Sequence, residues 1–280
     1  MKFIKLIWFD IKNGIIKSRF FIISVLLVSL LFCIDFSVNL YKVRDYNPEC
    51  SFGDMLVYVY GGMKEYIPSR ENRFFFPVIW SILIITQYFG TLSYPFENLN
   101  GYGKQILLRT EGRSLWWLSK CVWNIMYSLL YHSVIWIVLL IYSVIRGYNI
   151  GFEVNTELIV YLFDIFDTES STLVSDNLHI PVISFFLPVV VSVSLNILEM
   201  TVSMFSKTII SFLAMSCLTI SSAYFLNSFF LGNYEMIVRY NMVISNGINC
   251  STGFILSLVV IIVSVIVGLL KFRRYDIINS

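Results

Sequence analysis

Apolar residues gather along this chain in blocks of about twenty, each long enough for a helix that crosses a bilayer, with shorter polar stretches between them. The blocks fall at about 20–40, 74–96, 121–145, 181–205, 208–231 and 251–270, and they predict six spans in a single bundle. Residues 1–17 read differently. Lys2, Lys5, Lys12 and Lys17 are interleaved with Phe3, Ile4, Trp8, Phe9 and Ile15, a basic amphipathic pattern too broken by charge to cross, so an interfacial helix is expected there. The whole chain, 1–280, is thus read as one all-α integral membrane domain.

The connections add detail. The outer stretches 41–73 and 147–180 have the composition of short surface helices. Between the fifth and sixth spans, polar residues alternate with Met236, Ile237, Val238 and Val243, as in a surface or membrane-entering hairpin. Hydrophobic residues make up 57% of the chain and charged residues 14%, too little polar surface to clothe a water-soluble globule. Net charge is only +2, but its distribution is informative. With the amino terminus inside, thirteen of the 20 basic residues fall on inner segments, so both termini are expected in the cytoplasm. Nucleic-acid binding has no support. Two histidines and five cysteines without a C-x-x-C pair leave no local zinc or redox motif.

The most polar inner stretch is PFENLNGYGKQILLRTEGRSLWWLSK, residues 95–120. Its Gly-x-Gly-Lys run at 101–104 is not a phosphate loop, because Asn98 and Gln105 stand where that motif needs glycine and Ser or Thr. Arg109 and Arg113 share a helical face, with Ile106, Leu107, Trp116 and Trp117 as apolar surface. Within the apolar blocks, Glu199 lies about 27 Å along the fourth span from Pro181, with Asn196 a turn earlier, and the two are the candidate intramembrane polar pair. His132 reads as a buried hydrogen-bonding residue. Cys50 and Cys250 both fall outside, where a disulfide is one option.

Taken in order, Glu97, Gly101, Lys104, Arg109, Arg113 and Lys120, set between spans two and three after a basic interfacial helix, resemble the membrane subunit of an ABC-2 type ABC transporter. The resemblance implies that residues 98–115 form a cytoplasmic coupling helix docking a separate ATPase, present in two copies. It also implies a second permease chain as homodimer or heterodimer, a bacterial cytoplasmic membrane location, no cofactor bound directly, and no enzymatic activity in this chain. The expected cargo is hydrophobic or amphipathic: a peptide or bacteriocin, a drug or a lipid. An ATP-independent carrier, a bacteriocin-immunity protein and an intramembrane enzyme remain as alternatives, although no Glu-Glu pair, His-Glu-x-x-His or Ser/His constellation marks the spans.

Overall fold

The computed structural model describes residues 2–16, 18–42, 49–68, 73–92, 94–95, 112–165 and 180–274. All regular structure among them is helical. The elements are α1 (Lys2–Ile11) with a π-helical turn at Lys12–Ile16, α2 (Arg19–Lys42), α3 (Phe52–Tyr60), α4 (Val78–Thr91) and α5 (Arg113–Arg146). They continue as α6 (Thr156–Leu162), a 3-10 turn at Val182–Phe186 leading into α7 (Leu187–Val202), α8 (Thr208–Tyr224), 3-10 turns at Leu231–Glu235 and Ile237–Arg239, and α9 (Cys250–Arg273).

Four helical segments are long and apolar enough to cross a membrane: Phe21–Lys42, Arg113–Arg146, Val182–Val202 and Cys250–Arg273. Their outward faces suit lipid. Leu26, Leu27, Leu30, Leu31 and Ile34 on α2, and Ile255, Val259, Ile262 and Ile266 on α9, are exposed at helical spacing, a surface that water would not tolerate over such an area. Two further expected spans are shorter. Helix α4 has 14 residues, because Pro77 lacks an N–H and occupies the cap, so the helix starts four residues later than the apolar block. Helix α8 has 17 residues and ends at Tyr224, where the chain turns extended at Phe225.

Helix α7 is the centre of the bundle. Of its best apolar window 72% is buried, against 22% for α9, so α7 faces protein and α9 faces largely outward. Gly253, Ser257, Ser264 and Gly268 are among the buried positions along α9, a small-residue stripe that lets neighbouring elements approach, and α7 meets it where the Thr201 hydroxyl donates to the Ser264 carbonyl at 3.1 Å. A Cβ on Gly268 would lie 2.0 Å from Cζ2 of Trp117, whose indole N–H donates to the Val265 carbonyl at 3.1 Å.

Helix α5, at 34 residues, is about 51 Å long and exceeds the hydrocarbon thickness of about 30 Å. It begins eight residues before the expected third span, so residues 113–115 belong to this rod and not to a separate coupling helix. Its far end stops at Gly147, whose φ of 73° is the left-handed conformation in which its N–H reaches the Ser143 and Val144 carbonyls. There α3 and α6 form a cap. Ser51 and Asp54 close a capping box at the start of α3, and the Phe52 and Gly53 N–H groups donate to the Asn149 and Gly151 carbonyls at 2.8 and 2.9 Å.

The segment 231–240 folds back into the bundle, with Tyr234, Met236, Ile237, Val238 and Tyr240 fully buried. Arg239 holds it. The Nε donates to the Met63 carbonyl (2.9 Å), one terminal nitrogen to the Ser222 carbonyl (2.6 Å) and the Asn233 side-chain oxygen, and the other to the Ala223 (2.6 Å) and Lys64 (3.3 Å) carbonyls. All five guanidinium donors are thereby used, and the cation sits on the last carbonyls of α8, where the helix dipole favours it. Burial lowers its pKa to about 10.

Candidate functional site

Two polar clusters stand out in this apolar molecule. The first lies where α1 meets the beginning of α5. Trp116 and Lys120 are one turn apart on α5, which turns both toward α1 and α9, and Asp10 ends α1 directly opposite. Lys120 Nζ lies 2.5 Å from Asp10 Oδ1, with both side chains at most 2% exposed. The Tyr94 hydroxyl donates to the same carboxylate oxygen at 3.2 Å, and the Ser119 hydroxyl donates to the other at 2.9 Å. The Lys120 ammonium also sits 4.7 Å from the Tyr94 ring centre and 5.0 Å from that of Trp116. Trp116 in turn stacks on Phe272 of α9 at 4.6 Å. Beside it, Arg113 donates to the Arg273 carbonyl at 2.8 Å and Arg273 Nε to the Ser114 hydroxyl at 3.1 Å. One carboxylate thus gathers α1, the chain just after α4, and α5, and the same stretch of α5 grips the end of α9.

The second cluster follows α7. Ser192, Asn196 and Glu199 recur at four and three residues and share its buried face. Glu199 Oε2 accepts from the Thr91 hydroxyl at 3.2 Å, while its Oε1 has no partner. Glu199 also lines a crevice with Thr91, Leu92, Met200, Ser203 and Ser211, too narrow to seat a water molecule. Asn196 donates to the Ser128 hydroxyl at 2.8 Å, and Asn124 donates to the Asn196 carbonyl at 3.2 Å, which ties α7 to α5. Ser192 donates to Glu235 Oε1 at 2.9 Å, and Glu235 Oε2 is buried without a partner. Burial pushes the Glu235 carboxyl up to about 8, against the smaller opposing effect of the Ser192 hydrogen bond.

Above this lies His132. Trp136 Nε1–H can only donate and reaches the Tyr60 oxygen at 3.1 Å, so the Tyr60 O–H is left to donate to His132 Nδ1 at 2.8 Å. That assignment puts the imidazole proton on Nε2, which is buried without a partner.

Of the six residues expected to receive an ATPase, Glu97, Gly101, Lys104 and Arg109 lie outside the described residues. Arg113 is at the start of α5, turned to the end of α9. Lys120 is not at a surface. The expectation placed it in a polar loop, but it is fully buried against Asp10, so it acts on structure and cannot itself touch a docked protein. Asn196 and Glu199 are together on α7 as the spacing implied. No disulfide joins Cys50 and Cys250: Cys250 begins α9 and Cys50 precedes α3 beside Asn149. Glu235 and Asp10 were missed as site residues, each counted only as a loop charge. The signal for Glu235 was its place between Tyr234 and Met236 in an otherwise apolar run.

A model of the family described as a protein of unknown function, DUF2705, matches residues 50–278. The chain belongs to that family. The matched stretch of this DUF2705 member holds Lys120, Glu199, Glu235 and Arg239, and Asp10 lies before it. No curated protein matches the DUF2705 chain.

Proposed function

We propose that this chain is the membrane subunit of an ATP-driven exporter of the ABC-2 type. It crosses the membrane six times, the four long segments being joined by α4 and α8, and it works as one of two permease chains in a bacterial cytoplasmic membrane. A separate ATPase docks on the inner segment 98–115 and supplies the hydrolysis. The cargo is hydrophobic or amphipathic and moves outward.

One observation carries this reading. The residues that flank segment 98–115, Tyr94 before it and Ser119 and Lys120 after it, all converge on the buried carboxylate of Asp10. A subunit that receives work through a contact needs the ends of that contact fixed to the elements that must move. Here a displacement of the segment is handed at once to α1 and α5, and through Arg113 and Trp116 to α9. The buried hairpin at 231–240 and the basic α1 agree with the same family architecture.

The test is copurification. Chain extracted in mild detergent should bring a soluble ATPase with it, and Lys104→Glu with Arg109→Glu, both ahead of the first residue of α5, should weaken that association. Labelling of a cysteine at position 104 by a membrane-impermeant reagent from outside the cell would overturn the proposal. So would cargo movement that continues with no ATPase present, which is the behaviour of a carrier.

A further inference from the structure

Two buried carboxyls, Glu199 on α7 and Glu235 on the 3-10 turn packed against it, have an arrangement that an exporter worked only from its inner face does not require. Ser192, which holds Glu235, and Glu199 are seven residues apart on one helical face, about 10 Å along the axis. Each carboxyl is 2% exposed, each accepts a single neutral hydroxyl bond, and each keeps one oxygen without a partner. No lysine, arginine or histidine among the described residues hydrogen bonds to either. Around Glu199 stand Thr91 and Tyr88 from α4, Ser203 from its own helix and Ser211 from α8. Around Glu235 stand Ser192 from α7, Tyr88 from α4, Tyr60 from α3 and Tyr240 from its own hairpin. Arg239, four residues on, spends all its donors elsewhere.

An unpaired carboxylate in such surroundings is prohibitively costly, and the inexpensive way to hold the acid is as its neutral, protonated form. Tyr88 lies within electrostatic reach of both carboxyls, and its hydroxyl is bonded to Thr219 at 2.9 Å. Tyr60 is within reach of Glu235 and bonded to His132.

We propose that Glu199 and Glu235 are a pair of intramembrane proton-binding sites, and that the chain takes up and releases protons as its bundle moves. The ligand is a proton and not a metal cation: the crevice at Glu199 has no space for a hydrated ion, and a dehydrated one needs about six oxygens.

The test is infrared spectroscopy of the full chain in lipid nanodiscs, which needs neither ATPase nor cargo and so stands or falls apart from the exporter assignment. At neutral pH the chain should show a protonated-carboxyl carbonyl band that shifts in D2O, is diminished in Glu199→Gln and again in Glu235→Gln, and bleaches reversibly between about pH 6 and 10, either side of the value near 8 set by burial of Glu235. If either glutamine variant fails to fold, mapping of dicyclohexylcarbodiimide adducts on the unmodified chain should find both glutamates. A band that stays constant until helicity is lost would make the acids inert packing and defeat the proposal. Bleaching by sodium at fixed pH would defeat it too, as a metal-cation site.

Discussion

Asp10→Asn is the sharpest perturbation available at the Asp10–Lys120 cluster. It leaves the Lys120 ammonium enclosed by the Tyr94 and Trp116 rings without its carboxylate, and a stranded buried charge costs about 3–5 kcal/mol. Neutralisation sets the ceiling, because stripping the proton from an ordinary lysine at pH 7 costs about 5 kcal/mol. Lys120→Met strands the acid instead. The Ser119 and Tyr94 hydroxyls still donate to that acid, so the loss should be nearer the lower end, about 3 kcal/mol. Acidification should relieve Lys120→Met by protonating the orphaned carboxylate, and alkali should relieve Asp10→Asn by discharging the amine. The double variant should regain most of the loss, since the intact pair contributes little beyond cancelling its own desolvation. A double-mutant cycle on unfolding in mixed micelles, followed by tryptophan fluorescence, should therefore give a coupling of at least about 2 kcal/mol. Hydrogen exchange across residues 2–16 should rise in both single variants. Additive single effects, or losses below about 1 kcal/mol with unchanged exchange, would refute the claim that this pair fastens α1 to α5.

Two other sites give independent expectations. Arg239→Lys keeps the charge but replaces a five-donor fork with three donors on a shorter reach, so two or more charge-assisted bonds are lost and unfolding should become easier by about 3–5 kcal/mol. A change under about 1 kcal/mol in the same unfolding measurement would mean the hairpin does not depend on it. Gly268→Ala places a carbon 2.0 Å from the Trp117 ring, which forces α5 and α9 apart and should cost about 1–3 kcal/mol. Crosslinks between cysteines placed across α5 and α9 should form more slowly in that variant, and an unchanged rate would contradict the packing described.

Hydropathy located α2, α5, the 182–202 segment and α9 because each carries twenty or so apolar residues in succession, and length alone decides such a question. It placed the ends less well, for reasons visible at particular residues. The block at 74–96 contains Phe74, Phe75 and Phe76, apolar but ahead of Pro77, so they belong to the approach and not to α4. The block at 208–231 runs past Tyr224 because Phe225, Phe229 and Phe230 raise the average even though the backbone has left the helix. The apolar run at 236–238 is buried in protein, and a hydropathy average cannot tell protein from lipid. Asp10 and Lys120 were misjudged for a different reason. Each looks like a solvated interface charge when read within its own ten residues, and the neighbour that buries it is 110 positions away. Asn196 and Glu199 were legible because both lie on one helix, where periodicity suffices.

Helix α5 joins what the two clusters do separately. Trp116, Lys120, Asn124, Ser128, Tyr131, Ile135, Leu139 and Ser143 are buried at spacings of three and four, so one unbroken face runs from the Asp10 pair to the cap. On that face Asn124 donates to the Asn196 carbonyl and Ser128 receives from the Asn196 amide, one turn of α7 from Glu199. His132 follows one residue beyond Tyr131, under Tyr60. A helix held near its start by a buried ion pair and capped at its far end by Gly147 moves as a rod, since its internal hydrogen bonds resist bending more than side-chain packing resists sliding. A shift at Lys120 is then felt first by the two asparagines, and through them by α7. The Asp10 cluster and the buried carboxyls are consequently not separate features of the bundle: the helix anchored at Asp10 is the one that grips the backbone carrying Glu199.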